Sequence, residues 1–197
     1  MRRIILLLLC LLSLPLVGSA QVPLFQVYGG YAYTHVDSGG VSNLVNPGAR
    51  DWNGWAASFA GNFTRHFGVV FDCSGAYGPS YPLNPTGIGP RVHEETPFLH
   101  AYLAGPQFLL PLGRVLFFAH GLAGATQMRR GFMGVDTTIS RSDFAFGGAV
   151  GGGIDLSLTR DVALRLAQAD YLIGKNFGVT GNDLRVSGGI VFQLGSR

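Results

Sequence analysis

The chain has 197 residues, of which 47% are hydrophobic and only 13% charged, and 30 are glycine. A soluble domain carries about 25% charged residues, so an ordinary water-exposed surface is excluded. Disorder is excluded too, since it needs low hydrophobicity and high net charge. The net charge of +3 includes Arg2 and Arg3 near the N-terminus, so the remainder is almost neutral and offers no basic field for nucleic acid.

The first twenty residues read as an export signal. Arg2 and Arg3 form a positive n-region, Ile4 to Leu16 an apolar stretch, and Gly18-Ser19-Ala20 a small-residue cleavage site before Gln21. The apolar stretch is short for a membrane helix and Pro15 helps end it. Leu9 before Cys10 gives no lipoprotein site, and Arg2-Arg3 lack the polar surroundings of a twin-arginine signal. Residues 21–197 then form one domain. It keeps Cys73 as its single cysteine, so no internal disulfide can form. In that setting Cys73 reads as a small apolar strand residue.

No apolar run after Gln21 is long enough for a transmembrane helix. The dominant period is two. Eight strands are expected, approximately at Phe25–Val36, Trp52–Phe63, Phe67–Tyr77, Pro97–Leu110, Val115–Gln127, Asp143–Leu158, Val162–Ile173 and Asn182–Leu194. The second sets Trp55, Ala57, Phe59 and Phe63 against Gly54, Ala56, Ser58, Ala60 and Asn62. In the third, Phe67, Val69, Phe71 and Cys73 oppose Gly68, Val70, Asp72 and Ser74. The fourth and fifth are apolar on both faces, which leaves their phase open. In the sixth, Phe144, Phe146, Val150, Ile154, Leu156 and Leu158 share a face, against small residues and Asp155. The eighth repeats the pattern, with Leu184, Val186, Ile190, Phe192 and Leu194 on one side.

The connections alternate strictly. Residues 64–66, 111–114 and 159–161 are tight turns, whereas 37–51, 78–96, 128–142 and 174–181 are long and polar. An even-stranded antiparallel barrel has this order, with short turns at one end and long loops at the other. The second face decides its medium. Gly, Ala and Ser with scattered Asp and Arg make a poor solvated surface but a good filling for a narrow lumen. The bulky face is therefore expected to meet lipid. Aromatics at strand ends fit two girdles: Trp52, Trp55, Tyr77, Phe98 and Phe144 towards the loops, and Phe25, Phe63, Phe67, Phe108, Phe117 and Phe192 towards the turns. The alternative is a soluble, lipocalin-like carrier with the bulky face inside.

At this level the sequence resembles a family. Gly151-Gly152-Gly153-Ile154-Asp155, Arg165 to Leu172 (RLAQADYL) and Arg185 to Gly195 (RVSGGIVFQLG) look like the end of OmpA-like outer-membrane β-barrels. Phe98 to Phe108, with Ala104-Gly105-Pro106-Gln107, looks like a central strand of the same family. The resemblance implies an all-β, eight-stranded, up-and-down transmembrane barrel in the outer membrane of a Gram-negative bacterium. It implies lipid, lipopolysaccharide and the outer-membrane assembly machinery as partners, and no particular activity. The chain departs from the pattern by ending Leu194-Gly195-Ser196-Arg197 rather than on an aromatic residue, with Phe192 as the nearest substitute. With no periplasmic globular domain read after the barrel, peptidoglycan anchoring is not among the expectations.

The lumen charges allow sharper expectations. A turn at 159–161 sets Asp155 opposite Arg165 on the small-residue face, where an unpaired charge would be costly. This pair is expected to be structural. Arg165 is odd and inward, yet Gln168 and Asp170 are even and would face lipid. Either a bulge near Leu166–Ala167 resets the phase, or Asp170 sits at the membrane rim; a pairing of Asp170 with Arg185 across loop 174–181 favours the bulge. Asp72 joins this set of lumen charges from the third strand.

Catalytic and metal readings find little support. A hairpin centred near 112–113 places His100 opposite Gly124–Ala125, so His100 and His120 lie about 13–16 Å apart, too far for one zinc. No G-x-S-x-G is present, and the glycine run does not complete G-x-G-x-x-G because position 156 is Leu. No enzyme, cofactor or metal is expected. Eight strands leave an interior just wide enough for side chains, so a wide porin is excluded. The expected role is structural or surface-interacting, by a monomer with a plugged lumen; a narrow solute channel and a lipid-modifying enzyme are the other readings. Loop residues Tyr81 and Arg91, and Arg129, Arg130 and Phe132, are candidate surface contacts, with arginines suited to lipopolysaccharide phosphates.

Overall fold

The computed structural model describes residues 22–36, 51–79, 93–133, 138–176 and 179–196. The export signal expected at 1–20 lies outside them. Alternating residues form β1 (Pro23–His35), β2 (Asp51–Asn62), β3 (Phe67–Tyr77) and β4 (His93–Leu112). They continue as β5 (Val115–Met133), β6 (Thr138–Ser157), β7 (Val162–Asn176) and β8 (Val179–Ser196). Each strand pairs antiparallel with the next, and β1 pairs with β8 to close the barrel. Closure removes the sheet edges that lipid could not satisfy.

The bulky face points outward. Phe25, Phe59, Val69, Phe71, Val150, Ile190 and Phe192 are all exposed, and Phe146 is 78% so. A soluble carrier with this face inside is therefore ruled out. The two strands of undecided phase are settled as well: odd residues of β4 (Leu99, Leu103, Gln107, Leu109) and even residues of β5 (Leu116, Phe118, His120, Leu122) are buried. Their outer residues are apolar because they face lipid, so hydrophobicity alone could not assign them.

β4, β5 and β6 run well past their expected ends into what the sequence reads as loops. In these stretches, such as His93-Glu94-Glu95-Thr96 and Ser140-Arg141-Ser142, the apolar alternation that marks a strand is absent. At the other end the β4–β5 turn is shorter than expected. Leu112 pairs with Val115, and Gly113 takes a positive φ of 61° that suits glycine. Pro111 stays in the strand because its missing N–H faces the side where β3 has already ended. This one-residue shift sets His100 opposite Gln127, not Gly124–Ala125.

Trp52 departs from the expected girdle. It lies on the inner face, buried with Val36, Ala76, Leu99 and Met128 in an apolar layer at the long-loop end of the lumen. Its even position in β2 puts it in phase with Ala56 and Ala60, so its indole turns into the lumen. Further layers follow down the lumen, one around Leu103, Leu122 and Leu172 and another around Tyr28 and Val191. Val22, Leu109, Leu116 and Phe118 close the short-turn end.

Candidate functional site

The lumen holds a connected set of buried charges. A bulge in β7 creates it: Asp155 pairs with Arg165 and Ile154 with Ala167, which leaves Leu166 without a partner on β6. On the β8 side the same bulge lies between Arg165↔Gly189 and Gln168↔Ser187. Both Leu166 and Ala167 face outward, and beyond them the even residues Gln168, Asp170 and Leu172 turn inward. A regular strand would have put the Asp170 carboxylate into lipid, which is expensive.

Arg165 grips Asp155 with two bonds, Nε to Oδ1 at 2.8 Å and Nη2 to Oδ2 at 3.0 Å. Its Nη1 donates to Gln168 Oε1 at 2.6 Å, and Gln168 Nε2 donates to Asp170 Oδ2 at 2.8 Å. The guanidinium is also sandwiched between two rings, 4.2 Å from the Tyr28 centroid and 4.3 Å from that of Phe118. Arg185 donates to Asp170 Oδ2 from Nε at 3.0 Å and Nη2 at 2.7 Å. Its Nη1 lies 2.8 Å from Asp72 Oδ1, across the barrel on β3. His120 Nε2 lies 2.8 Å from the remaining oxygen of Asp170. Asp155, Asp170, Asp72 and Arg185 are each at most 1% exposed. Mutual pairing is what makes such burial tolerable.

The glycine-rich stretch of β6 is the counterpart of this set. A Cβ at Gly151 would overlap the Asp170 carboxylate, and one at Gly153 would lie 2.7 Å from the Phe118 ring. These glycines make room for the charges and for the ring that stacks on Arg165.

All five charges singled out from the sequence thus meet in one chain: Asp155, Arg165, Asp170, Arg185 and Asp72. His120, Gln168, Tyr28 and Phe118 complete it. His120 was missed because the phase of β5 was open; a reading with even residues inward would have placed it beside the charges. A second polar group sits at the short-turn end, where Gln107 Nε2 donates to Asn62 Oδ1 at 2.7 Å and Asn62 Nδ2 to the Pro23 carbonyl at 2.8 Å.

The remaining histidines are elsewhere. His100 faces outward over Gly75, stacked on Phe98 at 4.6 Å between centroids, with its Nε2 3.2 Å from the Tyr77 hydroxyl. His35 Nδ1 lies 2.7 Å from Asp51 Oδ1 at the outer rim, both side chains about half exposed. Neither arrangement includes a bonded serine or cysteine among the described residues, and no metal-binding cluster occurs among them. Arg129 Nη2 donates to Ser140 Oγ at 3.3 Å on the outer face. Tyr81, Arg91 and the side chains of Arg130 and Phe132 lie outside the described residues.

No family model and no curated protein matches the sequence. Solved structures do match. Ail, the attachment invasion locus protein of Yersinia pestis, crystallised with the heparin analogue sucrose octasulfate, aligns with a TM-score of 0.62 at 17% identity, over 85% of this chain and 97% of that one. The chain has the fold of the small outer-membrane β-barrels. A second crystal structure of Ail gives 0.56 at 17% identity, over 87% and 99% of the two chains. Neisserial surface protein A gives 0.52 at 13% identity, over 86% and 97%. Like them, this small barrel is a closed eight-stranded wall.

Proposed function

We propose that this protein is a monomeric barrel of the bacterial outer membrane that acts as a structural or surface-interacting element, not as a pore or an enzyme. The observation that carries this reading is the set of buried charges in the lumen. Asp155, Arg165, Gln168, Asp170, Arg185 and Asp72 are linked across it. The buried Trp52 layer towards the long-loop end supports the same reading. Outer-membrane placement is supported by the lipid-compatible outer face and the leader at 1–20. With long loops on a closed scaffold, recognition falls to the outer end, where Arg129 stands on β5 and the sequence adds Arg91 and Arg130 as candidates for anionic groups such as lipopolysaccharide phosphates. Ail was crystallised with a polysulfated sugar, which favours a polyanion as the ligand class.

The test is a pair of measurements on the full precursor. Unboiled outer-membrane fractions should show a faster-migrating folded band, and planar bilayers should show no conductance steps. Asp155→Ala should lower the unfolding midpoint without opening a path. Discrete steps in the wild type would overturn the plugged reading, and recovery in the soluble periplasm would overturn the placement.

A further inference from the structure

The short turns at the base of the barrel share a device that the lumen does not use. Phe63-Thr64-Arg65-His66-Phe67 and Leu158-Thr159-Arg160-Asp161-Val162 fold alike. In each, the first two residues donate backbone N–H bonds to the carbonyl of the fifth. In each, the threonine Oγ1 accepts from the two N–H groups that follow the arginine, at 3.0–3.2 Å for Thr64 and 3.1–3.3 Å for Thr159. Both turns thereby hold an arginine at the tip. Arg65 and Arg160 are exposed, and neither has an acidic partner among the described residues. The third turn carries Arg114, which donates to the carbonyls of Ser157 at 3.1 Å and Leu158 at 2.9 Å, bringing its guanidinium beside the 158–162 turn.

Depth gives these arginines a shared environment. Each lies two residues beyond an outward apolar side chain: Phe63 before Arg65, Leu112 before Arg114, Leu158 before Arg160. Those side chains belong to the lower apolar belt with Phe25, Phe67 and Phe108, which marks the edge of the hydrocarbon. The arginines stand at or beside the turn tips just beyond this belt, on the side where headgroup phosphates border the hydrocarbon. Asp161 is the one acid on these turns, so the rim is positive.

Resting on the outer-membrane reading above, we infer that Arg65 and Arg160, with Arg114, form a binding rim for the phosphates of anionic phospholipids in the periplasmic leaflet. Guanidinium matches phosphate with paired hydrogen bonds. A glycerol headgroup leaves that charge uncompensated, whereas an ethanolamine ammonium competes for it. The lipid is thus of the phosphatidylglycerol type.

The experiment is native mass spectrometry of the folded barrel released from nanodiscs of equal phosphatidylethanolamine and phosphatidylglycerol. An arginine near a charged surface should give about a fivefold preference, so phosphatidylglycerol adducts should dominate in the wild type. Arg65→Gln/Arg160→Gln should cut the preference sharply, leaving only what Arg114 supplies. Arg65→Lys/Arg160→Lys should keep most of it, and Arg129→Gln, at the opposite end, all of it. Equal adducts of both lipids on the wild type would overturn the inference, as would a preference undiminished in the double glutamine variant or lost with Arg129→Gln. The boiled-versus-unboiled band shift, run on each sample, reports folding and insertion separately, so a failure of the barrel reading is distinguished from a failure of the lipid rim.

Discussion

The two halves of the barrel wall share one alternation but fill their inner faces differently. β5 to β8 contribute His120, Asp155, Arg165, Gln168, Asp170 and Arg185, with Gly151 and Gly153 set back beside them. β1 to β4 contribute Ala32, Ala56, Ala60, Val70 and Leu103, with Asp72 reaching across to the charged side. The difference shows what a narrow lumen demands. Charges are placed where each can reach another, and the wall beside them thins to glycine. Elsewhere small and aliphatic side chains share the space with uncharged polar ones such as Gln26, Thr34, Asn62 and Gln107. An inward glycine in one half is thus a different object from an outward glycine such as Gly29, around which a Cβ would meet nothing within 4 Å.

The most damaging way to break this contrast is to delete Ala169, above the bulge. Asp170 would then turn to lipid while Tyr171 and Ile173 entered the lumen, and the variant should not reach the heat-modifiable folded form on an unboiled gel. Arg185→Met comes next. It leaves Asp72 and Asp170 without their cation and should cost about 3–5 kcal/mol, read as a lowered urea midpoint in lipid vesicles. Asp72→Asn should cost less, because Arg185 keeps Asp170.

Glycine substitutions sharpen the comparison further. Gly151→Ala should destabilise by about 1–3 kcal/mol, as overpacking does, while Gly29→Ala should stay within about 0.5 kcal/mol. Equal midpoints for the two would mean that β6 glycines do not serve as room for Asp170. Smallest of all, His35→Ala at the exposed outer rim should leave the midpoint unchanged, as separation from the buried set requires.

What could be read from the residues depended on contrast between faces. β2, β3, β6 and β8 oppose bulky to small residues, so their phase and the Asp155–Arg165 register were legible. The Asp170 conflict was legible as well, since a carboxylate in phase with Leu172 could not remain among outward residues without a bulge. β4 and β5 lacked contrast because lipid outside and leucine-filled lumen inside select the same side chains, and His120 was lost with them. The upper parts of β4 to β6 were lost for a different reason: runs such as His93-Glu94-Glu95-Thr96 and Ser140-Arg141-Ser142 carry no apolar alternation. Trp52 shows a third limit. A terminal aromatic belongs to a girdle or to a plug according to one unit of parity, and composition does not distinguish them.

The bulge at Leu166 also fixes how β7 can change over time. Below it, odd positions such as Ala163 and Arg165 admit small or paired polar residues and even ones admit grease. Above it the rule inverts, so Tyr171 and Ile173 are free among apolar residues while Asp170 is not. A saturation-mutagenesis map of this strand should therefore show its tolerance pattern reversing at one residue. Away from the bulge, insertions or deletions should survive only in pairs, whereas loss of the extra residue itself leaves both faces as they are.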